Sequence, residues 1–223
     1  FVRRRADNIL AEQVKVYHPD IIFIGGIKYL TPETIYKLRD VAPKAVFVGR
    51  DNDPYPERNK ERLEIAKMLD IVTTTGADNF LKTYKNAGVP LCAFMPNPCD
   101  PDIQRSYDGL DHKWKSDIIF TGKAEHKKLI RDTERHELLI RLSRMKNVKM
   151  FGCFGQPRVD GVETFWAISG AKIALSINII NSERLYHSDR LVNCVSCGTF
   201  TLAKRVPDSD LLFKDGVHLK YFD

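Results

Sequence analysis

Residues 188–199 read S-D-R-L-V-N-C-V-S-C-G-T and bring a guanidinium, a side-chain amide and a glycine-threonine step together in one short stretch. Arg190 and Asn193 are three residues apart, so a helix over this stretch carries them on one side. A helix that ends at Gly198 and feeds the apolar strand 199–203 belongs to an α/β nucleotide-binding half, where ligands sit outside the carboxyl ends of parallel strands. Both side chains then face that crevice. An arginine fork can hold a phosphate through two bonds, each worth about 1.5–3 kcal/mol when charged. The competing reading of Arg190 is a surface salt bridge to Asp189 or Glu183.

Other residues could join the same chemistry. Lys123 follows Gly122 at a strand end and is a second cation for a phosphate, with a solvated loop lysine as the alternative. Gly198 and Thr199 would bring backbone amides to the phosphates, or simply cap a helix. Asn178, at the end of an apolar strand, points into the same crevice or shapes a loop. In the first half, Gly49-Arg50-Asp51-Asn52-Asp53-Pro54 follows a strand directly. Carboxylates one residue apart can hold Mg²⁺ or Mn²⁺ across a diphosphate, or bond their own backbone as a turn. Cys194 and Cys197 form a C-x-x-C, but no second ligand pair at similar spacing accompanies them, so they read as small residues packing a helix on a sheet.

These residues need elements to position them, and the hydrophobic pattern supplies an alternation of strands and helices along the chain. Strands are predicted at 20–25, 45–49, 71–74 and 91–95, with helices from Thr31, over 57–69 and over 77–86. Thr31-Pro32-Glu33 is a good helix start, and Gly88 before Val89-Pro90 a matching stop. Residues 96–115 lack either period and read as an interdomain connection, with three prolines and several aspartates. Alternation resumes with strand 116–121, a basic helix over 129–145, strand 148–151, a helix near 164–170, strand 172–180, the helix and strand around Gly198, and a last strand at 217–222. With that basic helix taken from His126 to Met145, Lys128 and Arg135 could reach a phosphate, but its mixed charges mainly describe a solvated face. The expectation is an α/β protein of two Rossmann-like domains, 1–108 and 109–223, truncated at both ends. The opening helix and the uncovered final strand suggest the truncation.

Composition narrows the function classes. The 223 residues are 43% hydrophobic, enough for a sizeable core, and the formal net charge is +6. A basic chain favours acidic partners in general. Its aromatics do not interleave with a basic stripe, so no nucleic-acid partner is expected. No apolar run reaches the roughly 18–20 residues of a membrane span, and the N-terminus lacks the apolar core of a signal peptide. Five scattered cysteines argue for a reducing compartment. The expected setting is cytoplasmic, with room for peripheral association with a membrane.

The segment Phe94-Met95-Pro96-Asn97-Pro98-Cys99-Asp100 resembles the "IPNGVD" hinge of group 1 glycosyltransferases with the GT-B fold, and Asp117-Ile118-Ile119-Phe120-Thr121-Gly122-Lys123 resembles the strand and loop that open their donor domain. Residues 169–178, Asp189-Arg190-Leu191, Cys197-Gly198-Thr199-Phe200 and 211–216 are similar, in this order, to stretches of the spore-maturation (CgeB-like) branch. The resemblance runs from about Asp20 to the end and is stronger in the second half. It implies two domains facing across a cleft and a metal-independent transferase without a cofactor. That enzyme would move a sugar from a nucleotide-sugar donor to a glycan, lipid-linked or protein acceptor. Gly122, Lys123, Asn178, Arg190, Asn193, Gly198 and Thr199 would bind the donor. Asp51 would line the acceptor side as general base, whereas a metal held by Asp51 and Asp53 would instead point to the GT-A fold. The branch has a glutamate where this chain has Asn193, and a neutral acceptor gives up roughly half the strength of a charge-assisted bond. A catalytically silent protein that binds nucleotide or glycan within a coat or surface assembly therefore stands as the alternative.

Overall fold

Alternating β-branched runs and amphipathic segments fold into two parallel sheets. The computed structural model describes residues 2–52, 60–123 and 133–223. The chain divides into two compact units, Phe1–Pro96 and Asn97–Asp223. The first contains α1 (Val2–Tyr17), β1 (Ile21–Ile24), α2 (Pro32–Val41), β2 (Val46–Asp51), α3 (Lys60–Lys67), β3 (Ile71–Thr74), α4 (Asn79–Asn86) and β4 (Leu91–Phe94). The second contains β5 (Ser116–Thr121), α5 (Thr133–Ser143), β6 (Val148–Phe151), α6 (Val162–Ser169), β7 (Ala171–Ser176), α7 (Asp189–Ser196), β8 (Phe200–Lys204) and β9 (Lys220–Phe222). Local chemistry explains several boundaries. Thr31 caps α2 by accepting the Thr34 amide at 3.2 Å, with Pro32 in the first turn. Gly88 takes φ +91 just past α4, a conformation that favours glycine. Strand β7 stops at Ser176, four residues before the expected end.

Segment 97–108 belongs with the second unit, although the sequence placed it with the first. Its side chains and amides are the reason. Asn97 Nδ2 donates to the His187 carbonyl at 2.8 Å, Gln104 Nε2 donates to Asn193 Oδ1, and the Tyr107 amide donates to Ser169 Oγ at 3.2 Å.

The second sheet is packed on both faces, as parallel sheets usually are. Ile119 and Ala174 meet Trp114, Ala167, Ile168, Cys194 and Cys197 on one side, while Phe120 and Leu175 meet Leu139, Met150 and Ile177 on the other. The first sheet, ordered β1-β2-β3-β4, buries Ile24, Phe47 and Val72 beneath Ile35, Leu38, Ile65 and Tyr84. Its alternate positions Ile21, Phe23, Val46 and Leu91 are exposed, so this sheet carries apolar residues on both faces and buries one set.

Asp51 closes β2 on the buried face. Its carboxylate is 4% exposed, lies 3.3 Å from Arg62 Nε and accepts the Tyr84 hydroxyl, so it ties α3 and α4 to the strand. This corrects its expected role as a general base: a base must offer a lone pair to an incoming hydroxyl, and this carboxylate is enclosed by a cation and a phenol. Asp53, the other half of the expected pair, lies outside the described residues. Removing one partner of a buried ion pair leaves an uncompensated charge. Arg62→Ala should therefore lower unfolding free energy by about 3–5 kcal/mol in a urea titration; a loss under about 1 kcal/mol would contradict this fastening role.

Candidate functional site

The second sheet runs in the order β6-β5-β7-β8-β9, all parallel. Chain progression reverses at β5, whose neighbours are β6 on one side and β7 on the other. In open α/β sheets this reversal leaves a crevice outside the strands' carboxyl ends. A cleft of about 730 Å³ occupies that place. Thr121 and Gly122 reach it from the end of β5, Phe151 and Gly152 from the end of β6, and Ser188, Asp189, Arg190 and Asn193 from the start of α7.

Arg190 holds the centre of this arrangement. Its Nε donates to the Thr121 carbonyl at the end of β5, and Nη1 donates to the Ile177 carbonyl just beyond β7 at 3.0 Å. The guanidinium carbon stands 4.4 Å from the centroid of the fully buried Phe120 ring, a cation–π geometry. No carboxylate pairs with Arg190 among the described residues, so the expected alternative of a salt bridge to Asp189 or Glu183 does not form. Burial pulls the guanidinium's pKa down, and neighbouring groups offset this only in part. An arginine nonetheless stays protonated, which leaves a half-buried cation held by neutral carbonyls beside an open cleft.

Gly122 makes that position accessible. It adopts φ +130, and a Cβ there would collide with Arg190 Nη2. That nitrogen has no hydrogen bond among the described residues. The main-chain amides of Asp189 and Arg190, in the first turn of α7, likewise have no partner among the described residues. Such amides and the positive end of a helix favour an anion.

The remaining expected residues divide. Asn193 lines the cleft, with its Oδ1 taken by Gln104. Lys123 lines it too and is exposed; its carbonyl accepts Arg135 Nη2, so Arg135 braces the loop from a buried position. Lys128 lies outside the described residues. Asn178 is a loop clip: its Oδ1 accepts the Ser188 amide at 3.0 Å and its Nδ2 donates to the Tyr186 carbonyl at 3.3 Å, which sets where α7 begins. Gly198 and Thr199 stand away from the cleft, a correction with a topological cause. They follow the far end of α7 and lead into the amino end of β8, at the opposite edge of the sheet from the carboxyl ends. Thr199 Oγ1 donates to the Ile168 carbonyl at 2.8 Å, tying α6 to β8.

Sequence reading missed Gly152, Gln156, Arg158 and Asp189, which also line the cleft, and Gln104, which braces it. One signal was present. Gly152 follows β6 just as Gly122 follows β5, and it adopts φ +80 with its Cβ position 3.6 Å from the Gly122 carbonyl oxygen. Arg158 is paired with Asp160 at 2.6 Å, and both are exposed.

A family model described as "Glycosyl transferase-like" matches residues 126–223, which carry α7 and most of the cleft. Among solved structures, Anabaena HepE in complex with UDP and glucose is 14% identical with a TM-score of 0.57, covering 96% of this chain and 67% of its own. A Rickettsia africae glycosyltransferase is 13% identical with a TM-score of 0.52 over 97% of this chain and 66% of its own. The N-terminal domain of Candida albicans trehalose-6-phosphate phosphatase is 13% identical with a TM-score of 0.59 over 97% and 62%. At these identities the likeness is one of fold, the α/β, Rossmann-like architecture of GT-B glycosyltransferases. The chain spans about two thirds of the length of these structures. No curated protein is similar enough in sequence to count as a relative.

The C-x-x-C pair packs where α7 meets the sheet. Cys194 and Cys197 are each 2% exposed and sit in the cluster around Trp114, Ile119 and Ala174. Burial pushes the Cys194 thiol up to about 12 and the Cys197 thiol up to about 11. No group of three or more metal-ligating residues occurs among the described residues. Because the thiolate is the reactive form, iodoacetamide at pH 8 should label the exposed Cys99 first and reach Cys194 and Cys197 only after denaturation. Early labelling of Cys194, read by peptide mass spectrometry, would contradict this packing.

Proposed function

We propose that the chain is the greater part of a glycosyltransferase that moves a sugar from a nucleotide-sugar donor to a glycan, lipid-linked or protein acceptor. The second unit binds the donor. The observation that carries this reading is Arg190, a cation without a carboxylate partner among the described residues, fixed by two main-chain carbonyls at the strand reversal. The family match over residues 126–223 supports it, as do fold relatives whose structures hold UDP, UDP with glucose, or UDP-glucose.

In sugar transfer an acceptor hydroxyl oxygen bonds to the anomeric carbon and gives up its proton to a base or to solvent, while the bond from that carbon to the phosphate oxygen breaks. The bonding electrons leave with the nucleoside diphosphate, so negative charge grows on its phosphates. Fixed donors that need no reorganisation stabilise such charge best. Arg190 Nη2 and the first-turn amides of α7 are such donors, and Lys123 adds an exposed cation at the rim. Positive groups on the protein do the work that a divalent ion does in a metal-dependent transferase, so the reaction runs without one. Asp51 is not part of this proposal, because its carboxylate is committed to Arg62 and Tyr84.

One observation favours a second reading. The Asn193 oxygen is already bonded to Gln104 where the resembled branch usually has a glutamate, so a protein that binds a nucleotide without turnover also fits this cleft.

Arg190→Ala should weaken UDP binding about tenfold or more in isothermal titration, the loss of one charge-assisted contact; unchanged affinity in a folded variant would remove Arg190 from the site. Transfer or donor hydrolysis across UDP-, GDP- and CMP-sugars should persist in excess EDTA. Full dependence on Mg²⁺ or Mn²⁺ would overturn metal independence, and nucleotide binding without turnover across the panel would favour the silent reading.

A further inference from the structure

Three amide groups form a relay from the start of the second unit into the cleft. The Asp100 backbone N–H donates to Gln104 Oε1 at 2.5 Å, and Gln104 Nε2 donates to Asn193 Oδ1. A backbone N–H can only donate. It therefore selects the oxygen of the Gln104 amide, which leaves that amide's nitrogen to face Asn193 and selects the oxygen there in turn. Side-chain amides are often ambiguous about which end is which, and the hydrogen-bond network decides. Here the decision starts from a main-chain atom whose role is fixed. The Asn193 Nδ2 is left over, with no hydrogen bond among the described residues, on a side chain that lines the cleft beside Arg190.

We infer that Gln104 is a positioning residue that presents Asn193 to the ligand as a hydrogen-bond donor, so that this position selects an acceptor oxygen, such as a phosphate or carbonyl oxygen of a nucleoside diphosphate. The inference deepens the donor-site reading and rests on it for the ligand. Its geometric half concerns the free protein alone. The consequence for specificity is a reversal of polarity. A carboxylate at this position would accept hydroxyl hydrogens, whereas an amide held by its oxygen offers two N–H groups. Together with Arg190 Nη2 and the α7 amides, the wall of the cleft at α7 becomes rich in donors.

Gln104→Glu inverts the relay with a near-isosteric change. The glutamate can still accept the Asp100 amide, but its other oxygen can pair only with Asn193 Nδ2, which turns the Asn193 oxygen outward. The new negative charge also repels a diphosphate by itself, so the comparison needs a second background. Gln104→Glu should weaken UDP binding about tenfold in the native chain, and clearly less in a chain that also carries Asn193→Ala, where only the charge effect remains. Equal losses in the two backgrounds would overturn the inference while leaving the donor site intact. Loss of UDP binding by the native chain would instead count against the donor-site reading. A ligand-free measurement separates the two: in the ¹⁵N,¹³C-labelled native protein, the Gln104 side-chain nitrogen should show a scalar coupling across the hydrogen bond to the Asn193 carbonyl carbon. Its absence overturns the inference whatever the protein binds.

Discussion

The cleft of the second unit depends on one guanidinium that joins the ends of two strands. Neighbouring parallel strands hold each other along their length, but the carbonyls at and just past their carboxyl ends still need partners where the ladder runs out. Arg190 donates to that of Thr121, the last residue of β5, and to that of Ile177, just past β7. These strands are neighbours at the reversal of chain order. The same side chain thus closes the sheet and opens the site. Gly122 must be small for the guanidinium to lie where it does, Phe120 must be buried beneath it, and Asn178 must hold the loop so that α7 begins at the right place.

Much of this was legible in the sequence, and the parts that were not have physical causes. Periodicity revealed the alternation of strand and helix because each strand's apolar residues and each helix's stripe answer to a local geometry. Arg190 and Asn193 were legible because a three-residue spacing puts both on one side of α7 whatever surrounds it. Gly198 and Thr199 were misplaced because nearness in sequence was read as nearness in space. Eight helical residues advance the chain about 12 Å, enough to carry it from one edge of the sheet to the other. Asp51 shows the reverse case, a clue that was present and passed over. Strand parity places it on the face of Phe47 and Gly49, the buried side of β2. A carboxylate on a buried face needs a cation more than it needs a substrate.

The boundary between the units was harder to read because prolines mark where regular structure stops, not which side the irregular chain will join. That choice was made by Asn97, Gln104 and Tyr107, each bonded to a residue at least 62 positions away. Pairings at such separation leave no trace in local pattern. The two sheets differ in a related way. The second wraps apolar residues on both faces with helices, whereas the first carries the same two-sided composition and leaves Ile21, Phe23, Val46 and Leu91 in contact with solvent.

The immobility of Arg190 has a kinetic and thermodynamic corollary. A free arginine samples many rotamers, and freezing them on contact with a ligand opposes association by up to about 2 kcal/mol. Here two carbonyls and an aromatic ring hold the guanidinium before any ligand arrives. The disorder is surrendered when the domain folds, so under the proposed donor-site reading an anion would meet a guanidinium already held in place, and its capture would not have to include that ordering cost.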